Sequence, residues 1–584
     1  MAMNAKEWTR DHFMSNESAC KLILDNSEAL GEIPCINSSS LDNFKDGQLV
    51  RFRGMVQDMF NPEYYFENYE VTDTRTGESS LRSGIYMDSA RCLPHENISL
   101  DSQRNKNSER QTYFIISVPG LNEWAKEKVP QTNIKTNLKN VSKRSLETSN
   151  EEAMDCSEPI KKKEKILETS ESTTKDSAPK ETRPAIVSKE HILNFPIPND
   201  DGKACIVKIY ENKDSHKLNE VLDIIGFLSL DPLHSAIHDS EDYMDDMEIQ
   251  THHPPASMVP RLHAVKVIPL AKNEIFNDPQ LISKAECIRG DLQMVLGQLL
   301  FGDQLAADYL ICHLISSIYM RKDFLCLGSF PLNISRFPLE KFKTFPKELY
   351  SMLAQLIPKS HYVELTLDCL NNLNFIPQKD YDCDRLTSGV LQLSDHTHLV
   401  IDETGLTSGQ VTPCGRNNYN AINTLVQFQK VAYDFKFYPM DYETDIPVLI
   451  LSTVKSFIQC NNQVALNVDS ETEGLFPQVV EAAQQYLKDE DRLNNIRQYL
   501  HMLRHAKFEF DEEMTEVIQE DFVKMRHANK SYTGDDLHTL MVFARLMSLS
   551  YGKNTLTIDL WKKAFELEAE RIARLPKRNN QVQS

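Results

Sequence analysis

The sequence predicts a multidomain α+β and α/β protein, with a β-barrel split by a polar insertion, then an alternating α/β core, then a helical domain. Three observations carry this prediction. Short segments rich in β-branched and aromatic residues flank a stretch at 126–189 that is almost without aromatics. From Leu281 onward helical and strand patterns alternate, and from Phe476 to the end only the helical pattern persists. The 584 residues give a length prior of about three or four domains, and 41 % apolar content is enough for packed cores.

Residues 1–37 read as a helical or irregular N-terminal segment, and 38–125 as the first part of the barrel. Leu49 to Met59 alternates apolar and polar residues, and Thr112 to Val118 is a second β-rich run. Residues 126–189 consist largely of Lys, Glu, Ser, Thr and Asn, which cannot bury enough apolar area to offset chain entropy, so a disordered linker is expected. Two basic clusters lie in it, Lys143-Arg144 and Lys161-Lys162-Lys163 with Lys165. Exposed lysines of this kind suit a nuclear-import signal read by an import receptor; a solvated charge run is the plainer alternative. Residues 190–275 supply the remaining strands, Ala204 to Tyr210, Glu220 to Leu230 and Leu262 to Leu270. About five short strands around one insertion suggest a split OB-like barrel. Such barrels bind single strands or dock proteins, and the acidic Asp239 to Glu248 stretch favours docking. The Tyr64-Tyr65-Phe66 run reads as barrel core, with a base-stacking platform or an interface anchor as alternatives.

In the α/β core, 281–470, the expected order is a helix over Gly302 to Arg321, a strand over Phe324 to Ile334 and a helix over Leu339 to Ile357. Strands follow at Tyr362 to Leu367, Thr397 to Asp402 and Ile446 to Ser452, and helices between buried strands imply a parallel sheet covered on both faces. In the helical domain, 471–584, Thr533 with Asp536 forms an N-terminal cap pattern, after which Leu537, Leu540, Met541, Ala544 and Met547 share one apolar face. Trp561, Ala564, Phe565 and Glu568 mark a further helix.

The chemistry centres on Leu399 to Glu403, an apolar strand ending in Asp402-Glu403. In a nucleotide-binding core such a strand end holds Mg²⁺ through its Asp and orients the attacking water through its Glu. A plainer role is to cap the next turn or to pair with a neighbouring basic residue. No G-x-x-x-x-G-K-[ST] loop accompanies it: the Gly-Lys steps are Gly202-Lys203-Ala204 and Gly552-Lys553-Asn554. Half of an ATPase site predicts a chain that uses the shape to dock, with no enzymatic activity and no cofactor. His234 with His238 and His501 with His505 have a two-ligand metal spacing but no third ligand in sequence, so surface or packing histidines are expected. A formal net charge of −21, from 85 acidic and 64 basic residues, argues against broad binding to nucleic-acid backbone. Twelve Cys without a C-x-x-C pair, no apolar region in MAMNAKEWTRDHFM and no apolar run near about 18 residues predict a reducing compartment and no membrane.

Leu386-x-x-Gly389-x-Leu391-x-Leu393 followed by Val400-Ile401-Asp402-Glu403 resembles the ATPase half of mini-chromosome maintenance (MCM) helicase subunits, as do the terminal helices. The resemblance implies a degenerate AAA+-like core with a helical lid. It places Val542 where that family's lid arginine contacts the γ-phosphate, with Arg545 three residues out of register. A closer resemblance, to the MCM complex-binding protein family, runs through Phe52 to Glu63, Glu109 to Thr112, Val207 to Glu211, Gly226 to Pro232 and Pro254 to His263. It continues through Gly302 to Leu310, Phe375 to Tyr381 and Ile401 to Thr404. It implies a nuclear protein that binds MCM helicase subunits in their assembly, import or unloading, with indirect chromatin association, in DNA replication and sister chromatid cohesion. The docking surface is expected on the flank of the core and its lid, whose helix Asp535 to Tyr551 carries Leu537, Leu540, Met541 and Ala544 and buries the first three in the fold. A weak ATPase with an atypical phosphate loop and a single-strand nucleic-acid binder are the alternatives.

Overall fold

The computed structural model describes residues 5–127, 188–198, 202–211, 216–230, 246–270, 279–322, 325–528, 530 and 532–575. Helices α1 (Arg10–Ser15), α2 (Glu17–Leu24) and α3 (Ser27–Glu32) precede the first strand. They bury Trp8, Phe13 and Leu24 with Leu49, Ile225 and Phe227 on the outside of the sheet that follows. This is why the first half of β1 (Leu49–Asp73) is buried on both faces rather than on alternate residues.

Strand β1 is 25 residues long; β2 (Ser79–Ser83) and β3 (Glu96–Ile98) pair with its far end, and β4 (Lys106–Ile116) runs antiparallel along it. After α4 (Glu123–Glu127) the described chain resumes near α5 (Lys189–Ile192), then enters β5 (Ala204–Ile209), β6 (Val221–Ser229), α6 (Asp246–His252) and β7 (Arg261–Pro269). The pairings β1–β4, β4–β5, β5–β7, β7–β6 and β6–β1 close a ring, with β5–β7 its parallel step. Val50, Phe52, Ile115, Val207, Ile224 and Leu262 fill its interior. At the β6–β7 bulge only glycine fits: a Cβ on Gly226 would lie 2.4 Å from the His263 carbonyl oxygen. The expected strands are therefore present on both sides of the insertion. The linker itself, with Lys143, Arg144, Lys161, Lys162, Lys163 and Lys165, lies outside the described residues, as do His234, His238 and most of the acidic stretch.

The second half begins with α7 (Ala285–Leu299) and α8 (Gln304–Leu314), followed by a hairpin of β8 (Met320–Lys322) and β9 (Leu325–Leu327). Next come β10 (Leu332–Ser335), α9 (Phe345–Leu356), β11 (Ser360–Glu364), α10 (Leu367–Asn372), β12 (Gln378–Asp380), β13 (Arg385–Thr387) and β14 (His398–Asp402). The chain continues through α11 (Pro413–Phe428), β15 (Lys430–Asp434), β16 (Pro439–Glu443), β17 (Val448–Ser452) and β18 (Asn462–Ala465). Strands β11-β14-β17-β10-β18 form an all-parallel sheet, and β13-β12-β15-β16 a smaller sheet beside it. Helices α12 (Ser470–Gly474), α13 (Phe476–Tyr486), α14 (Glu490–Arg504), α15 (Glu512–Ala528), α16 (Gly534–Ser550) and α17 (Ile558–Arg574) complete the fold. Helices α13 to α17 share one hydrophobic core with α7, α8 and α9.

Three expectations are corrected. The helix expected over Gly302 to Arg321 is α8 alone; Asp303 caps its start, and the β-branched and hydroxyl residues Ile315 to Ile318 leave it, with Ser317 Oγ donating to the Arg504 carbonyl. The strand expected over Phe324 to Ile334 is broken between β9 and β10 at Gly328, whose φ of 101° and whose missing Cβ, 2.3 Å from the Ser317 carbonyl oxygen, both demand glycine. The helix expected from Leu339 begins at Phe345, with Pro346 in its first turn.

Barrel and core meet through buried polar groups. Asp58 on β1 accepts from the Leu386 N–H at 2.8 Å, and Gln392 Nε2 donates to the Gln57 carbonyl at 2.9 Å. The fully buried Arg385 guanidinium lies 4.3 Å from the Phe114 ring centre and donates to the His191 carbonyl at 2.9 Å. Removing Asp58 leaves a buried N–H without an acceptor and a buried cation without its neighbouring carboxylate. Asp58→Ala is therefore expected to lower unfolding free energy by about 2–4 kcal/mol in urea titrations. An unchanged urea midpoint would show that this contact does not hold the halves together.

Candidate functional site

The carboxyl ends of parallel strands are where an α/β sheet usually receives a ligand. Strand β14 is buried along its whole length and delivers Asp402 and Glu403 to that edge. Both Asp402 carboxylate oxygens are engaged: Tyr362 Oη donates to Oδ2 at 2.5 Å and the Thr404 N–H to Oδ1 at 2.9 Å. Glu403 accepts from Ser456 Oγ at 3.1 Å and from the N–H groups of Phe457 and Ile458 at 3.0 and 2.9 Å. Burial pushes the Glu403 carboxyl above its ordinary range, against the pull of these donors. Asp402 caps the turn that follows, through the Thr404 N–H, whereas Glu403 fastens the distant loop after β17.

A phosphate cradle needs a glycine-rich turn between a strand and a helix, so that backbone N–H groups can approach the ligand. The β10–α9 connection, residues 336–344, contains no glycine. It carries Phe337 and Phe342, which pack with Phe345, Phe301 and Phe476. The Phe301–Phe476 ring centres are 4.4 Å apart, Phe342–Phe476 4.8 Å and Phe337–Phe345 4.9 Å. Aromatic packing takes the place of a backbone cradle in this loop.

The lid helix expected to bury Leu537, Leu540 and Met541 is α16. Thr533 and Asp536 form the predicted reciprocal cap of α16. Leu540 and Ala544 are 1 % and 0 % exposed, Leu537 and Met541 pack partly buried on the same core, and every residue from Val542 to Ser550 is buried. Contacts with α7, α8 and α17 surround this helix, so its apolar face is interior. Val542 is buried too, and the Arg545 guanidinium lies 4.4 Å from the Tyr319 ring centre. The Tyr64-Tyr65-Phe66 run is likewise not core: Tyr64 is 77 % exposed because β1 has by then run beyond the closed ring. Its neighbour Tyr65 meets Tyr210 edge-on at 5.1 Å.

His501 and His505 do fall together, with ring centres 4.8 Å apart, and His396 joins His505 at 5.2 Å. Two groups that sequence spacing could not reveal have atoms close enough to share a divalent cation, His191 with Asp380 and Cys383, and Glu248 with His252 and Asp384. In the second, Asp384 already pairs with Lys379 at 2.8 Å. Sequence reasoning also passed over the β15–β16 hairpin, where Phe437 and Tyr438 are 83 % and 53 % exposed and Tyr381 meets Phe437 at 5.5 Å. The signal was present in Phe435-Lys436-Phe437-Tyr438-Pro439, an aromatic run that turns at Lys436 and ends where Pro439 opens β16. Among the described residues no helix is long and apolar enough to cross a membrane.

Comparison with known proteins gives this architecture its family. The model of the mini-chromosome maintenance replisome factor family matches residues 20–575. A Drosophila melanogaster protein named mini-chromosome maintenance complex-binding protein is 37 % identical over 98 % of this chain and 97 % of its own. Proteins of the same name from Danio rerio and Homo sapiens are 37 % and 35 % identical, each over 93 % of this chain and over 90 % and 91 % of their own. The chain belongs to the mini-chromosome maintenance replisome factor family.

Proposed function

We propose that this protein is a non-catalytic binding partner of MCM helicase subunits. It acts in the nucleus in their assembly, import or unloading, and so supports DNA replication and sister chromatid cohesion; its association with chromatin is indirect. The observation that carries this reading is the near-full-length match to relatives named for binding the MCM complex. The closed five-strand ring supports an OB-like barrel, and the parallel sheet ending in Asp402-Glu403 a degenerate AAA+-like core with a lid. The bonds that engage Asp402 and Glu403, and the aromatic β10–α9 loop, favour docking over ATP turnover.

Single-strand binding through the barrel is disfavoured by the placement of its basic residues. Arg51 pairs with Asp223, Arg110 and Lys208 with Glu63, and Arg261 with Asp88. Lys208 and Arg110 hold the Glu63 carboxyl down at about 2 despite its burial. Cations neutralised inside the fold do not attract a phosphate backbone.

With α16 interior, the β15–β16 hairpin is the surface we assign to the helicase subunit. Exposed Phe437 and Tyr438 beside Met440 and Tyr381 have the composition of an interface anchor, since aromatic side chains dominate binding hot spots. The double change Phe437→Ala, Tyr438→Ala should lower capture of purified MCM subunits by about tenfold or more without moving Tm. Capture at wild-type affinity would remove the hairpin from the interface. In cells, replacing Lys161, Lys162 and Lys163 by Ala should lower nuclear accumulation at unchanged stability. A triple variant that still accumulates normally when Lys143 and Arg144 are also replaced would place the import signal elsewhere.

A further inference from the structure

Buried cations in this fold generally carry a carboxylate, as Arg51 does with Asp223, Arg289 with Asp308 and Arg571 with Glu568. Lys359, Arg497 and Arg504 do not. They are 8 %, 9 % and 7 % exposed, and none forms an ion pair among the described residues. Lys359 Nζ donates to Ser394 Oγ at 3.0 Å and to the Asp395 carbonyl at 2.5 Å. Arg497 Nε donates to the Gln355 carbonyl at 2.7 Å, and its guanidinium lies 3.8 Å from the Trp124 ring centre. Arg504 Nη2 donates to the Leu314 carbonyl at 2.5 Å and meets His398 Nε2, while its buried Nε has no partner. These partners are neutral. A buried charge without a counter-charge is costly, and buried charges are ordinarily paired.

All three side chains line one cavity of about 570 Å³. It lies where the three parts of the chain meet: Lys217 to Val221 of the barrel half on one side, the amino-terminal edge of the parallel sheet on another, and α14 on the third. Lys359 directly precedes β11, His396 precedes β14 and Asp445 precedes β17, so the cavity is at the opposite end of the sheet from Asp402 and Glu403. Its size falls within the range of roughly 300–1,000 Å³ typical of small-molecule sites. A neighbouring cavity of about 390 Å³ shares Arg504 and His505 and adds Lys507 and Arg545.

The carboxylates in the same wall are engaged with other groups. Asp445 accepts from the Ile318 N–H at 3.1 Å and faces His396 at 3.3 Å, and Asp395 accepts from the Asp445 N–H at 2.9 Å. Glu443 is 3.6 Å from Arg321, and Glu220 is 3.3 Å from His216. Burial pushes the Lys359 ammonium down to about 8 and lowers both guanidinia, although Asp395 and Asp445 pull Lys359 the other way, Asp445 pulls Arg504 and Glu490 pulls Arg497.

We propose that this cavity is the binding site of a phosphorylated small molecule, a polyphosphate or phosphate ester, whose oxygens pair with Lys359, Arg497 and Arg504. Phosphate oxygens match guanidinium and ammonium donors in geometry as well as charge. Because the cavity is walled by barrel, core and α14, an occupant would tie the three together. This inference does not rest on the helicase reading.

The test is isothermal titration calorimetry and thermal melting of the full-length protein with inorganic pyrophosphate, with Mg²⁺-free ATP and with inositol hexakisphosphate, at ionic strength held constant with KCl. Saturable binding that raises Tm is expected, weakened by about tenfold or more in Lys359→Met and in Arg497→Gln. Without ligand, Lys359→Met should melt at or above the wild-type temperature, since it removes a buried unpaired charge. Should that variant not fold, Arg497→Gln carries the comparison. Equal affinities would identify the phosphate groups as the whole determinant, tighter ATP binding a nucleotide, and tighter hexakisphosphate binding an inositol phosphate. Absence of saturable binding by all three, or full affinity in the folded variants, would overturn the proposal.

Discussion

The Glu403 carboxylate, held by one hydroxyl and two backbone N–H groups of residues 456–458, fixes the carboxyl edge of the parallel sheet. A buried carboxylate that accepts several hydrogen bonds is a structural tie, and breaking it would leave backbone donors unsatisfied. The loop after β17 takes its position from this contact. With Asp402 bonded to Tyr362 and Thr404, and with Phe337 and Phe342 packed into the β10–α9 connection, the edge is occupied by the protein's own groups. The sheet keeps an acidic strand end, but its contacts serve stability.

The barrel follows the same economy of charge. Glu63 and Asp88 draw Arg110, Lys208, Arg261 and His263 inward, so a domain with many basic residues presents little free positive charge from them. The join between barrel and core is also polar and buried, through Asp58, Gln57, Arg385 and Gln392. Polar joins of this kind specify one arrangement of two units because each donor has one acceptor within reach. Against that background Lys359, Arg497 and Arg504 are buried cations without an ion pair among the described residues that line one cavity together.

Periodicity made much of the fold legible. Strands β1, β4, β5, β6 and β7 and the buried β14 and β17 lie where alternation or apolar runs put them, and the α16 cap lies at Thr533 and Asp536 as its spacing predicts. Where the expectations failed, the cause was local chemistry that period alone does not weigh: Gly328 and Pro331 break a strand, and Ile315 to Ser317 end a helix. The apolar face of α16 was read as buried within the fold, and α7, α8 and α17 cover it. The inter-domain cavity and the groups around Asp380 to Asp384 were invisible because residues distant in sequence assemble them. The family resemblance supplied the binding reading; composition and spacing alone yielded half of an ATPase site.

The central proposal is that the parallel-sheet core ending in Asp402-Glu403 serves binding and not turnover. The most direct measurement is the affinity of the full-length protein for purified MCM subunits with Mg²⁺–ATP, after enzymatic removal of all nucleotide, and with Glu403→Gln, alongside phosphate release by the isolated protein. The account predicts phosphate release at the buffer background and affinity unchanged across all three conditions. Sustained release abolished by Glu403→Gln, or binding that requires ATP on this chain, would contradict it.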